Sequence, residues 1–529
     1  MNRKLLFISL LLGTPSFALA ADAVSAVPAS AEANAVLHFT INQYVVEGAS
    51  LLSKAEIDTA VAPYMGKNKD FSDVQRALEA VEDAYAKRGY TAVRVLLPEQ
   101  ALEKGTVHFR VVESRFGKVT VKNNHFVSEA NALNAVPSVR SGGVPRSKQI
   151  SRELKLANEN PARQMNVVLK AGENDVLDAD VIVTDSKPSL WGVSLDNTGS
   201  PETGRARLGF SYRNANAFNA DHVTGIQYIT SPQYPSRVKV LGGSYKIPLY
   251  RSGSSLEFFG GYSNVNAVVG GLSNFQGGGR LLSARFSHTL ERIGVFDPKL
   301  SFSLDWRDYR RIELTNPPPT VLYNEIVVVP VSVTYAALGK FTRSDVNFNL
   351  SIAANIPGAN KGSAKDFSAY DKVNLTNPDP HYKVFRYGAG YSQLVGNGWQ
   401  FRTALNGQRS SDVLVQGEQI RLGGADGVRG FSEGSEGGET GARLNLEGYT
   451  PDFGKGDIRT RALVFFDAGQ ASSLNSPKTT ISGAGVGLRA NYSERLSLRL
   501  DLARIMKAGN DPEQQSGKKR AHLSLNATF

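Results

Sequence analysis

Leu300-Ser-Phe-Ser-Leu-Asp-Trp-Arg307 alternates apolar and polar residues without a break. Successive side chains of a strand point to opposite faces, so this octapeptide has one apolar and one strongly polar face. The period recurs along the second part of the chain. Val346, Phe348, Leu350 and Ile352 alternate with Asn347, Asn349 and Ser351, and Leu496, Leu498, Leu500 and Leu502 with Ser497, Arg499 and Asp501. Leu523, Leu525 and Phe529 alternate with His522, Ser524, Asn526 and Thr528. Counted from 190–197, about sixteen such segments fill residues 187–529. A soluble sandwich alternates as well, but its connections follow no length rule. Here the even-numbered connections are short, near Asn216, Arg251, Gly339, Gly396 and Ser493, while the odd-numbered ones include 264–278, 310–324, 354–381, 410–438 and 505–519. Short and long connections in turn are the pattern of an outer-membrane barrel. Closing the strands on themselves satisfies every backbone hydrogen bond, as lipid demands.

Composition narrows the chemistry. The chain has 529 residues and a formal net charge of +11, too long for one ordinary domain. Its Lys and Arg residues do not cluster in runs, which argues against a nucleic-acid partner. Arg207, Arg285, Arg402 and Arg443 occupy polar-face positions, so the charge fits a water-filled lumen. With no cysteine there is no disulfide, no thiol nucleophile and no Cys-based metal site. The seven histidines (38, 108, 125, 222, 288, 381 and 522) form no ligand pattern. No phosphate-binding Gly-x-x-x-x-Gly-Lys-Ser/Thr and no Gly-x-Ser-x-Gly elbow occurs. No catalytic, cofactor or metal residues are therefore expected.

Working outward to the amino terminus, Arg3 and Lys4 precede Leu5–Leu12, then Gly13, Pro15 and Ala18-Leu-Ala20. A basic start, a short apolar core and a small-residue site read as a signal peptide over 1–20, cleaved after Ala20. The apolar run is too short to span a bilayer. Residues 21–35 read as a short disordered lead. Two modules follow, over 36–114 and 115–186. In the first, 36–46 is strand-like, Ser53-Lys-Ala-Glu56 is a capping box that opens a helix reaching toward Gly66, and Ser72-Asp-Val-Gln75 opens a second helix. Val74, Leu78, Val81 and Tyr85 recur there at helical spacing, and strands over 91–97 and 106–112 follow. The order β-α-α-β-β repeats in the second module: a strand over 116–121, helices over 128–136 and 146–158, strands over 164–170 and 178–184.

In the long connection 410–438 stands Gly423-Gly-Ala-Asp-Gly-Val-Arg-Gly-Phe431, with Arg429 a lone cation among small and apolar residues. Glycines 423, 424, 427 and 430 allow positive φ and a loop folded tightly on itself. Two β-α-α-β-β modules ahead of a sixteen-stranded barrel resemble the two-partner secretion transporters of the Omp85 superfamily, the outer-membrane components of haemolysin-secretion and filamentous-adhesin systems. The modules are similar to POTRA domains. Gly427, Val428, Arg429, Gly430 and Phe431 match the family's loop signature, and Phe465, Asp467 and Gly469 match its strand-thirteen signature. The resemblance implies a loop folded into the lumen, with Arg429 meeting Asp467 as a latch. Asp467 shares a strand face with Phe465 and Arg461, opposite Phe466, Val464 and Ala462.

It further implies a chain in the outer membrane with its modules in the periplasm. The POTRA-like modules would bind an unfolded secreted partner exoprotein (an adhesin, cytolysin or contact-dependent toxin), which crosses without ATP. It implies a monomer, with no nucleic-acid partner, that contacts the lipid bilayer and the barrel-assembly machinery through Phe529 as a terminal signal. Many such transporters carry a plug helix ahead of the modules. The segment 21–35 leaves little room for one, so the folded loop is expected to do most of the occlusion. The alternatives are an outer-membrane assembly insertase, against which two modules count, a passive porin, which leaves the modules and the Arg429 loop without a role, and an outer-membrane enzyme.

Overall fold

A computed structural model describes residues 37–173, 175–268, 276–314, 320–373, 376–474 and 477–529. The signal peptide, the lead and Ala20 lie outside the described residues.

Each module packs two helices on a three-stranded mixed sheet. In the first, Thr106–Glu113 is the central strand, parallel to Gln43–Glu47 and antiparallel to Val93–Leu96. Helix α1 (Lys54–Val61) starts at the expected Ser53–Glu56 capping box, then tightens into a 3-10 turn ending at Tyr64. Helix α2 (Phe71–Lys87) starts two residues earlier than a Ser72 cap requires. Asp70 is the cap and Asp73 its reciprocal partner, because the Asp70 carboxylate reaches the Asp73 amide at 3.0 Å. Val74, Val81 and Tyr85 are buried at the predicted spacing, joined by Ala77, while Leu78 packs at the margin. The first strand is interrupted at Asn42, and its leading piece Phe39–Ile41 pairs with an unforeseen short strand, Gly66–Lys69.

The second module repeats the plan. Leu177–Asp185 is central, parallel to Phe116–Lys122 and antiparallel to Arg163–Ala171. Helices α3 (Glu129–Ala135) and α4 (Ser147–Ala157) cover it. This module is locked onto the barrel's short turns. Arg163 meets Asp221 at 2.7 Å with both side chains 1 % exposed, and Tyr250 donates to the same carboxylate at 2.9 Å. Glu159 accepts from Lys246 and Lys299 at 2.7 and 2.5 Å, and Asn160 donates to the Ala215 carbonyl.

Residues 189–528 form a closed antiparallel barrel. Its strands number sixteen once Ile326–Val328 and Pro330–Lys340, both paired with Phe296–Tyr309, are taken as one strand broken at Val329. A proline at 330 supplies no amide to the ladder. The last strand, Lys519–Thr528, closes against the first, Ser189–Asp196, over only five register pairs. Beyond them the Trp191 and Phe529 backbones exchange two hydrogen bonds. The alternation sorts lipid from lumen as read: on strand 13 (Ile458–Ser472), Val464 and Phe466 are 62 % and 43 % exposed, and Asp467 is 0 %.

One expectation fails locally. The inner wall is not polar throughout: inward-facing Val240, Phe259 and Leu281 join Phe367, Tyr370 and Tyr382 in an apolar core. Long loops are stowed inside the barrel at that point, and the wall under them is packed like a protein interior instead of facing water.

Candidate functional site

The connection between strand 11 (Trp399–Arg409) and strand 12 (Thr440–Tyr449) turns back into the lumen. Its limbs pair briefly at Ile420–Arg421 with Gly437–Gly438. Beyond this hairpin the signature residues form a tight knot. The Val428 amide donates to the Leu422 carbonyl at 2.7 Å, and the Gly427 amide to that of Gly424. Only two of the four glycines at 423, 424, 427 and 430 take positive φ, Gly424 at +130° and Gly430 at +100°. Gly427 is needed for space: a Cβ there would lie 2.2 Å from the Leu422 carbonyl oxygen.

Apolar burial seats the knot. Leu422, Val428 and Phe431 are fully buried against Ala471, Ile481 and Ile505 of strands 13, 14 (Thr479–Tyr492) and 15 (Leu496–Lys507). Gly469, predicted from the strand signature, lies beneath Leu422 and Val428, where a Cβ would come within 3.1 Å of Val428. Gly483 on strand 14 lets the loop backbone come closer still: a Cβ would stand 2.0 Å from the Arg429 carbonyl oxygen.

Arg429, 2 % exposed, reaches its predicted partner. Its Nε and Nη2 donate to Asp467 Oδ2 and Oδ1 at 2.7 and 2.8 Å, a bidentate pair, and its backbone amide donates to Oδ2 at 3.1 Å. Two parallel charge-assisted bonds fix orientation as well as distance. The guanidinium also lies 3.6 Å from the centroid of the Phe465 ring, so the third signature residue contributes a face for the cation.

The rest of the site was not singled out from the sequence. Glu447 of strand 12 accepts from Arg429 Nη1 at 2.8 Å, and Asn445 bridges the Gly427 carbonyl and Asp467 Oδ1, both at 2.8 Å. Asp501 of strand 15 lies 3.7 Å from Nη1 and is held by Arg489 and Arg499. Arg499 also reaches Asp426 on the loop, and His522 Nε2 of strand 16 accepts from the Gly430 amide at 3.1 Å. Three arginines thus face three barrel carboxylates, a balanced cluster that lets charge sit out of water. Each residue is at an inward position of the alternation, so its lumen-facing role was readable, but its partner was not. Phe529 takes no part in this site. It is exposed at the barrel seam.

The geometry is that of a loop fastened inside the barrel, with its polar groups facing one another. Comparison with known proteins agrees with the architecture. Residues 178–490 match the family model "Haemolysin secretion/activation protein ShlB/FhaC/HecB", and residues 39–114 match "POTRA domain, ShlB-type". The heme/hemopexin transporter protein HuxB of Haemophilus influenzae is 23 % identical over 492 residues, covering 88 % of this chain and 82 % of that protein. The outer membrane transporter CdiB of Escherichia coli is 24 % identical over 467 residues, covering 85 % and 76 %. The solved structure of CdiB from Escherichia coli superposes with a TM-score of 0.76 at 21 % identity, over 95 % of this chain and 93 % of that one. That of CdiB from Acinetobacter baumannii gives 0.69 at 14 % identity, over 93 % and 90 %.

Proposed function

The chain belongs to the haemolysin secretion/activation protein family, the outer-membrane transporters of two-partner secretion with periplasmic POTRA modules, and from this premise we propose that it translocates one unfolded partner exoprotein to the cell surface, with the loop around Arg429 as its closure. The observation that carries this reading is the seat of that loop: a buried bidentate pair, Arg429 with Asp467, fastens it to the inner wall of the barrel. A passive porin has no use for POTRA modules, the second of which docks on the barrel's periplasmic turns.

The partner would be captured as an extended chain. Val93–Leu96 and Arg163–Ala171 are edge strands of their sheets, and Leu96 and Leu169 are exposed on them. An edge offers unpaired amides and carbonyls to an added strand, and pockets between alternate side chains give specificity. No nucleotide-binding motif is present, so folding of the partner outside the cell would have to draw it through. The cargo's class, an adhesin, cytolysin or contact-dependent toxin, and a monomeric working state are part of the same reading. So are Phe529 as a contact for the barrel-assembly machinery and the latch roles of Gly427, Val428, Gly430, Phe431, Phe465 and Gly469.

The test is export of the protein encoded beside this gene, with and without the chain. Release into the medium only when the chain is present supports the proposal. Normal export without it, together with depletion of other outer-membrane proteins, overturns it in favour of an assembly insertase.

A further inference from the structure

Beneath the apolar core inside the barrel lies a second buried charge centre, on strands that do not touch Arg429. Glu418 ends a 3-10 turn, Gln416–Glu418, in the limb of the loop that leads from strand 11 to the knot. Its side chain is 1 % exposed. It accepts from Arg307 Nη1 of strand 7 (Phe296–Tyr309) at 2.7 Å and from Arg386 Nη2 of strand 10 (Lys383–Val395) at 3.0 Å. The Tyr309 hydroxyl donates to it at 2.8 Å. Asp305 pairs with Arg307 at 2.5 Å, so two carboxylates meet two guanidinium groups.

The fit around this turn is tight. A Cβ on Gly417 would fall 2.1 Å from the Tyr309 ring. Gln408 of strand 11 donates to the carbonyls of Glu418 and Glu439 at 2.9 and 3.2 Å, tying the limb that enters the lumen to the one that leaves it. Just ahead, Leu414 and Val415 are buried with Phe259, Leu281, Phe367 and Tyr382, so this limb and the connection between strand 9 (Ser344–Asn355) and strand 10 form one apolar plug against the wall.

We infer that the loop is a closure with two independent fastenings: Glu418, seated between Arg307 and Arg386, positions the entering limb and its plug, while Arg429 holds only the knot. The two centres share no residue: Glu418 is held from strands 7, 10 and 11, and Arg429 from strands 12, 13 and 15. Releasing Arg429 therefore frees the knot and leaves the plug in place. A wide pore opens only when both fastenings yield. An arriving polypeptide would have to displace Glu418 as well as Arg429.

The chain has no cysteine, so single cysteines report on each fastening without background. Val415→Cys reports on the plug and Val428→Cys on the knot, both buried in the seated loop. Full-length protein in detergent is labelled with a polar maleimide. Arg429→Ala is expected to raise the Val428→Cys rate at least tenfold and to leave Val415→Cys within twofold. Glu418→Gln is expected to do the reverse, and Glu418→Asp to restore most of the protection. In planar bilayers the double variant should show large conductance steps that neither single variant shows. Arg429→Ala exposing both cysteines alike would overturn the inference, as would Glu418→Gln exposing neither. If Glu418→Gln does not give a heat-modifiable folded barrel, Gly417→Ala unseats the turn by contact with Tyr309 and leaves every charge in place, and the same outcomes decide. The inference rests on the loop being the closure of a secretion pore, yet the labelling needs no cargo, so a failure of export and a failure of the two-fastening idea are read separately.

Discussion

Arg429→Ala is the perturbation whose consequence is best fixed by the geometry. It deletes three side-chain hydrogen bonds, at 2.7 and 2.8 Å to Asp467 and 2.8 Å to Glu447, together with the contact on Phe465. Asp467, 0 % exposed, keeps only the residue 429 amide and the Asn445 side chain. Asp501 is not orphaned, since Arg489 and Arg499 still hold it. Asp467, fully buried, is thus left without its counter-charge, which costs about 3–5 kcal/mol, with entry of lumen water favouring the lower figure, while the more exposed Glu447 loses Arg429 too but keeps the Tyr449 hydroxyl at 2.8 Å. At about 1.4 kcal/mol per factor of ten, the ratio of seated to released knot falls by roughly two to three and a half orders of magnitude. The barrel should survive, because strands 12 and 13 are paired from Thr440–Ser472 to Tyr449–Leu463 without help from Arg429. The assay is maleimide labelling of Val428→Cys in an otherwise native chain, with heat modifiability as the control for folding. Arg429→Lys keeps the charge but loses the planar fork, and should fall between wild type and alanine. Combining Arg429→Ala with Asp467→Asn should cost less than the sum of the two, since neither then leaves a buried charge. Unchanged labelling in a folded Arg429→Ala barrel would refute the latch and leave Arg429 as a brace.

Other consequences follow from the same geometry. Gly483→Ala should unseat the knot with every charge intact, because its Cβ would meet the Arg429 carbonyl oxygen at 2.0 Å; labelling of Val428→Cys should rise as it does for Arg429→Ala. Asp221→Ala leaves Arg163 buried and unpaired between the second module and the barrel, at about 3–5 kcal/mol, and should accelerate protease cleavage near Ser186–Pro188 while the barrel stays folded. Glu159 titrates at the same interface. Burial alone would raise its carboxyl, but Lys246 and Lys299 outweigh that and hold it below the usual carboxylate range. Its pKa is depressed on docking, so its contribution is complete above the ordinary carboxylate value and is lost as pH falls through the depressed one. Spin-label distances between Lys170→Cys and a periplasmic barrel turn should therefore broaden only in acid. Glu159→Gln should remove that pH dependence.

What the sequence yielded and what it withheld divide along one physical line. Alternation is legible where the two faces of a strand meet different media. Leu304 beside Asp305 and Phe466 beside Asp467 therefore announced the barrel, the strand count and the inward aim of Asp467. Helix starts were legible at Ser53 and Ser128 through local capping chemistry, but Asp70 rather than Ser72 caps α2, α4 starts without a side-chain cap, and the capping box at Ser363–Asp366, which opens the short helix Ala364–Ser368, was not read. The knot carries no period at all, and Arg429 was placed against Asp467 only through a family signature. Glu418 had not even that. It is one carboxylate in Val415-Gln-Gly-Glu418, and its partner Arg307 lies 111 residues away. The apolar inner wall was missed for the complementary reason. Glu257-Phe-Phe259 puts one ring outward and one inward, which alternation takes as noise. Where a lumen is filled by the protein's own loops, the inward face ceases to face water and obeys the packing rules of a core. A break in the polar face of a barrel strand is therefore itself a signal. Phe259 and Leu281 mark where a loop is stowed, and the polar residues bordering that apolar patch, Arg307 and Arg386, are where its fastening should be sought.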